Sequence, residues 1–353
     1  MKYDKMPFLA PGSKHELAGT LLQPIHAPVF DYPISPRENF RRVLTHDHPM
    51  WVPNSANDFN YVTGGELSGL SDLRYDFTER CYWTDLFGCV WEWIPSAGGS
   101  MLKPNQTPVL EDITEWEKKL VWPDLSEDRI KASCSAYMSK PFYHPEKMNY
   151  YDFGQGCTER LVSVLGGYTE AMLALAEEPD ACREFLCALS RFNCEMFDKI
   201  SKYCPTDMIM YHDDWGTERD TFFGEKMMEE IVYEPSEIFF KHVKESGAAI
   251  VFHTCGCIKR FLPYMVTLGA DFLQLQPRAN DIKAYKEQYG DKLGFDLPMY
   301  GFSSADAIKY MHQGVDDFAK DGGMFSTIFF GDEKILWDGI QELYCYSREY
   351  YEK

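Results

Sequence analysis

The sequence is short of positive charge: 35 Lys and Arg stand against 55 Asp and Glu, a formal net charge of -20 over 353 residues. Binding to nucleic acid or to an acidic membrane surface needs a basic face that neutralises phosphates, so neither partner is expected. Long apolar runs are missing as well. The first thirty residues mix Lys, Pro, Gly and His without an apolar core of the kind an export signal carries, and no stretch approaches the roughly 18 apolar residues of a membrane span. A cytoplasmic location is expected. Gly/Ser linkers, low-complexity tracts and internal repeats are absent too, so one domain is expected across residues 1–353.

Several chemistries are missing from the motif inventory. No GxGxxG follows a strand, and no Walker loop, HExxH or GxSxG elbow occurs, which disfavours nucleotide and serine-hydrolase chemistry. The eleven cysteines are an odd number scattered from Cys81 to Cys345 without the spacing of a disulfide framework, so most read as small buried packing residues.

What is present is alternation. Apolar runs of four to eight residues lie between helical segments, the pattern of βα units with a parallel sheet. Strands are expected at His48–Asn54, Gly88–Ile94, Tyr150–Phe153, Asp207–His212, Ala248–His253, Asp271–Gln276, Lys292–Leu297 and Gly323–Phe330. Eight such strands predict closure into a (β/α)8 barrel. Ser35-Pro36-Arg37-Glu38 forms a capping box that opens a helix over Arg37–Thr45, Pro235 opens another that ends at Gly247, and Pro179–Tyr203 reads as a third. The polar, Trp- and Lys-rich segment 98–144 is expected to be an insertion after the second strand.

Chemistry-bearing residues gather where these strands end, the face on which such barrels collect catalytic groups. His253 and Cys255 stand two apart in extended backbone, so both point the same way and could face one Zn²⁺ ion. The preceding strand ends in His212-Asp213-Asp214, an imidazole and two carboxylates for acid-base work. One of the two acids is expected to cap a helix or pair with an Arg, the other to act as acid, base or anchor. Asp332 and Glu333 close the last strand; either reads as an N-cap or as an oxygen ligand. Gln274 and Gln276 suit hydrogen bonding to a substrate or within the core.

In order along the chain, Arg37–Leu44, Pro49–Pro53, Glu170–Leu186, His212–Gly216, the Pro235 helix, His253-Thr254-Cys255-Gly256 and Leu268–Asp271 resemble the uroporphyrinogen decarboxylase superfamily over residues 35 to 350. That resemblance implies a TIM barrel with an N-terminal extension. Within the superfamily, the porphyrin-decarboxylase branch carries arginines after the first strand, where this chain has Asn54-Ser55-Ala56-Asn57-Asp58. The zinc methyltransferase branch carries His-x-Cys and a later Cys, and here His253 and Cys255 match while Asp332, Glu333 or Cys257 would have to supply the third ligand. The resemblance therefore implies a methyltransferase that moves a methyl group from a small donor, such as an aromatic methyl ether, to a corrinoid. The Asp-x-His-x-x-Gly corrinoid motif is missing because Val251 stands where Asp belongs, so the corrinoid would arrive on a separate protein. Expected roles are metal ligation by His253, Cys255 and Glu333, acid-base work by His212, Asp213 and Asp214, and substrate contacts from Asn54, Trp91, Gln274 and Gln276. The alternatives are a metal-free carboxy-lyase acting on a non-porphyrin substrate, and a barrel that binds without catalysis. A homodimer is among the assemblies the resemblance allows.

Overall fold

A computed structural model describes residues 15–19, 24–62, 79–96, 99–154, 156–299, 303–328 and 331–353. Twelve strands run through these residues: β1 His15–Gly19, β2 Pro24–Pro28, β3 Phe59–Val62, β4 Cys81–Thr84, β5 Val90–Ile94, β6 Gly99–Leu102, β7 Met148–Phe153, β8 Met208–His212, β9 Ala249–Thr254, β10 Phe272–Leu275, β11 Gly294–Asp296 and β12 Met324–Phe325. Seven of them form one parallel sheet in the order β12-β11-β10-β9-β8-β7-β3. The sheet curls until its ends meet. Ser326 N–H donates to Pro53 and Ser55 N–H donates to Ser326, and Asn54 forms a parallel bridge with Ser326. The fold is an α/β TIM-barrel-like one, as the alternation predicts.

Strand periodicity of two decides what the barrel holds. Phe59 and Tyr61, Met148 and Tyr150, Met208 and Met210, and Ala249 and Val251, each pair two residues apart on its strand, share one buried cluster with Phe272 of β10 and Phe325 of β12. The intervening residues, among them Tyr151, Ile209, Ile250, Phe252 and Leu273, belong to the larger outer cluster packed under the helices. Phe40 and Val43, from the helix Pro36–Thr45, close the inner cluster from below, the Phe40 ring lying 5.1 Å from Phe59 and 5.8 Å from Phe272. Ser35 caps that helix by accepting from Glu38 N–H at 3.2 Å.

Two strand expectations change. Gly88–Ile94 does not enter the barrel, because its β5 part pairs antiparallel with β4 and β6 in a separate three-stranded sheet. Its Trp91 and Trp93, buried with Trp83, give it the apolar look of a barrel strand. His48–Asn54 is irregular and makes only the closing bridge at its end, and the neighbouring barrel strand is β3. Elements of the 98–144 segment, including the helix Glu127–Met138, lie between β3 and β7 in the chain; Gly98 itself, like Phe329 and Phe330 of the last expected strand, is outside the described residues. At the N-terminal side, β1 and β2 form a hairpin, and Phe30 just beyond it stacks on Tyr344 of the last helix at 4.0 Å.

Candidate active site

Following the inward parity upward from the aromatic layers, the next side chains are Asp152, His212, His253, Gln274, Asp296 and Thr327. The apolar barrel thus ends in a polar layer at the carboxyl ends of its strands, where loops can shape a cavity. His212 and His253 are register partners on β8 and β9, and His253 and Gln274 on β9 and β10.

Parity also separates the two acids after β8. Asp213 points out of the barrel and is fully buried. Its carboxylate accepts from Thr158 Oγ1 (2.6 Å), Glu159 N–H (2.7 Å), Thr158 N–H (3.2 Å) and Trp215 Nε1 (2.9 Å). Burial pushes its pKa up to about 6, while those donors pull it back. Asp213 is therefore the N-terminal cap of the helix Cys157–Leu165 rather than an acid-base group facing the cavity. Gly156 is needed for this cap, since a Cβ there would overlap the Asp213 side chain.

The same helix turn delivers Glu159, a residue the sequence reading passed over. Its Oε2 lies 3.1 Å from His212 Nδ1, with both groups largely buried. The signal was available: Thr158 and Glu159 open a helix directly after β7, and in a barrel that turn reaches the same face as His212. Burial opposes a charge on His212, but Glu159 beside it, with Asp214 and Asp152 near, raises its pKa to about 10. The His212 ring stacks on the His253 ring at 4.0 Å between centroids and 11° between planes. His253 is driven the other way, to about 3, by burial and by the neighbouring imidazolium, with Asp214 opposing. The pKa values of the two facing imidazoles are thus driven apart, His212 upward and His253 downward.

His253 Nδ1 lies 2.6 Å from Gln274 Oε1, and His253 Nε2 looks toward Cys255 Sγ at 3.7 Å and Asp214 Oδ1 at 3.9 Å. Asp214 also accepts from the Cys255 N–H at 2.7 Å. Burial and the two carboxylates Asp214 and Glu159 push the Cys255 thiol well above its ordinary pKa. A thiolate here needs a cation. Among the described residues, ligand atoms of His212, Asp214 and His253 lie within 4.8 Å of one another, a spacing on which a metal ion could sit.

Other expected site residues go elsewhere. Glu333 is exposed on the last helix and lies 2.9 Å from His26, so it is engaged there, while the acid beside His253 is Asp214, just past β8. Asp332 caps that helix, accepting from Lys334 and Ile335 N–H groups. Asn54 is buried and spends its side chain on Asp58, Ala56 and Asn57 of its own turn. Trp91 sits in the β4-β5-β6 sheet and donates to Asp85 at 2.9 Å. Asp85 in turn pairs with buried Arg160, the neighbour of Glu159, which ties that sheet to the helix bearing the site.

Comparison with known proteins adds a family resemblance. The uroporphyrinogen decarboxylase (URO-D) family model matches residues 160–295, which include His212, Asp214, His253, Cys255, Gln274 and Gln276. That stretch, 136 of the 353 residues, is similar to the family. Among solved structures, a methyltransferase from Methanosarcina mazei is 12% identical, covers 91% of this chain and 100% of its own, and superposes with a TM-score of 0.63. At that identity the likeness establishes the shared barrel. An endo-1,4-beta-mannanase from Rhizomucor miehei, 13% identical with 98% and 97% covered, reaches a TM-score of only 0.42. No curated protein matches. No helix among the described residues is long and apolar enough to cross a membrane.

Proposed function

We propose that this uroporphyrinogen decarboxylase-like barrel is a zinc-dependent methyltransferase that takes a methyl group from a small donor, such as an aromatic methyl ether, for a corrinoid carried on a separate protein. The observation that carries the reading is the approach of Cys255 Sγ and Asp214 Oδ1 to His253 Nε2, at 3.7 and 3.9 Å, beside the His212, Asp214 and His253 ligand atoms that lie within 4.8 Å of one another. The donors fit a borderline-soft divalent ion. Negative groups crowded around a thiol whose pKa they raise are what such an ion would relieve. His212 is a poorer ligand: in-plane lone pairs of two parallel rings run side by side and do not converge on one ion.

A bound zinc would supply Lewis acidity toward the donor's heteroatom. The rest falls to the chain. His253, kept neutral, offers its Nε2 lone pair. His212, held as imidazolium by Glu159, keeps a proton in the same cavity, where an oxygen losing its methyl group as an electrophile retains the bonding pair and must collect one. A corrinoid on the partner protein would serve as the acceptor of the methyl group.

Metal analysis tests the reading. Wild-type protein is expected to carry one zinc per chain and the folded His253→Ala and Asp214→Ala variants almost none. With cob(I)alamin as acceptor and a panel of aryl methyl ethers, methylcobalamin should form only in zinc-loaded protein. Folded wild type that takes up no zinc overturns the proposal. Carbon dioxide release from a carboxylated substrate by such zinc-free protein would support the carboxy-lyase reading that the family's name keeps open.

A further inference from the structure

Two glutamines stand beside the two ligands on the next strand. Gln274 is the register partner of His253, and Gln276, two residues on, faces Cys255. We propose that Gln274 and Gln276 are positioning residues for the metal ligands, the first fixing which nitrogen of His253 is free and the second donating a hydrogen bond to the Cys255 sulfur. The proposal rests on the metal-binding reading above.

The hydrogen bonds leave each amide one orientation. Gln274 Nε2 donates to the buried carboxylate of Asp296 at 2.5 Å and lies 3.4 Å from Thr327 Oγ1. Asp296 is itself anchored by the Thr327 N–H at 2.8 Å and the Thr327 hydroxyl at 2.5 Å. Burial raises the Asp296 pKa to about 7 while these donors pull it back; against the ionised carboxylate, turning the amide over would set oxygen against oxygen, so Oε1 faces His253 and accepts from Nδ1–H. The Nε2 lone pair is then the one aimed at Cys255 and Asp214. An outer partner of this kind sets tautomer and ring angle together. Gln276 is pinned likewise, because its Oε1 accepts from Gly256 N–H at 3.1 Å, which turns its Nε2 to Cys255 Sγ at 3.1 Å. An N–H on a thiolate withdraws charge from it, leaving a bound metal more electrophilic. That suits activation of a poor methyl donor.

Neither amide is then a free substrate contact, and measurements separate the roles. In metal-free 15N-labelled protein, long-range proton–nitrogen spectra are expected to show His253 as the Nδ1–H tautomer in wild type, with the Nε2–H form gaining in Gln274→Met or Gln274→Leu. On titration with Co(II), these variants and Gln276→Met are expected to bind roughly 10- to 100-fold more weakly, the range that loss of outer-shell partners produces. Only Gln276→Met should move the sulfur-to-cobalt charge-transfer band to longer wavelength, because its sulfur lone pairs lose a donor. An unchanged His253 tautomer in both folded Gln274 variants, or cobalt affinity and band position in Gln276→Met equal to wild type, overturns the proposal while leaving the metal reading intact. Wild type that binds neither cobalt nor zinc overturns both.

Discussion

At the scale of single residues, the stacked pair His212 and His253 shows how neighbours split two identical groups. Glu159 raises His212 to about 10, and His212 in turn helps hold His253 near 3. A basic group whose pKa rises on folding stabilises the fold fully below its ordinary range, and that gain is lost as pH climbs through the raised value. In metal-free protein, the stability advantage of wild type over Glu159→Gln should therefore shrink between about pH 6.5 and pH 10, read as the difference in urea midpoints. Histidine chemical shifts should show His212 of the variant titrating far lower. Asp213 makes a different case: Asp213→Ala strands the N–H groups of Thr158 and Glu159 and the Trp215 indole in a dry setting. A loss of about 3 kcal/mol or more is expected by chemical denaturation, with Asp213→Asn losing less.

Among the elements, the loops after β8 and β9 decide the site's geometry. Gly256 has a φ of 75°, and a Cβ there would run into the backbone of Gly216 and Thr217. The two loops can touch only because both positions lack side chains, and the contact keeps Asp214 on the Cys255 N–H. Gly256→Ala combines a left-handed backbone with this overlap. It is expected to destabilise the protein by about 2 kcal/mol or more and to weaken zinc binding, measured by thermal melting and competition with a chelator. The helix Cys157–Leu165 couples in the same way. Its first turn is capped by Asp213 and carries Glu159, and its Arg160 is clamped by Asp85 from the three-stranded sheet.

For the whole molecule, the barrel divides by height into an apolar base and a reactive top. Phe40 plugs the base against Phe59, Phe272 and Phe325. Phe40→Ala should cost about 3–5 kcal/mol in urea unfolding, the usual price of deleting a buried ring, yet leave zinc stoichiometry unchanged in the protein that remains folded. That separation is the opposite of the Gly256→Ala outcome. A mutation at the top should disturb metal and stability together, one at the base stability alone.

Strand and helix periods, caps and the facing of residues two apart are local properties, so the sequence by itself determined the alternating α/β architecture, the Ser35 cap and the common orientation of His253 and Cys255. Apolar content is equally local, which is why Gly88–Ile94, rich in tryptophan, passes for a barrel strand. Only the tertiary structure decided that β3 joins β7, that Glu159 meets His212, 53 positions further along the chain, and that Asp214 rather than Glu333 stands by His253. The outward turn of Asp213 depends on the register of β8 in the closed sheet, and the duties of Gln274 and Gln276 depend on which strand lies beside β9. Those facts come from pairing between distant segments, whose cost is paid in chain entropy and repaid by burial across the whole barrel, and no short window of residues encodes them.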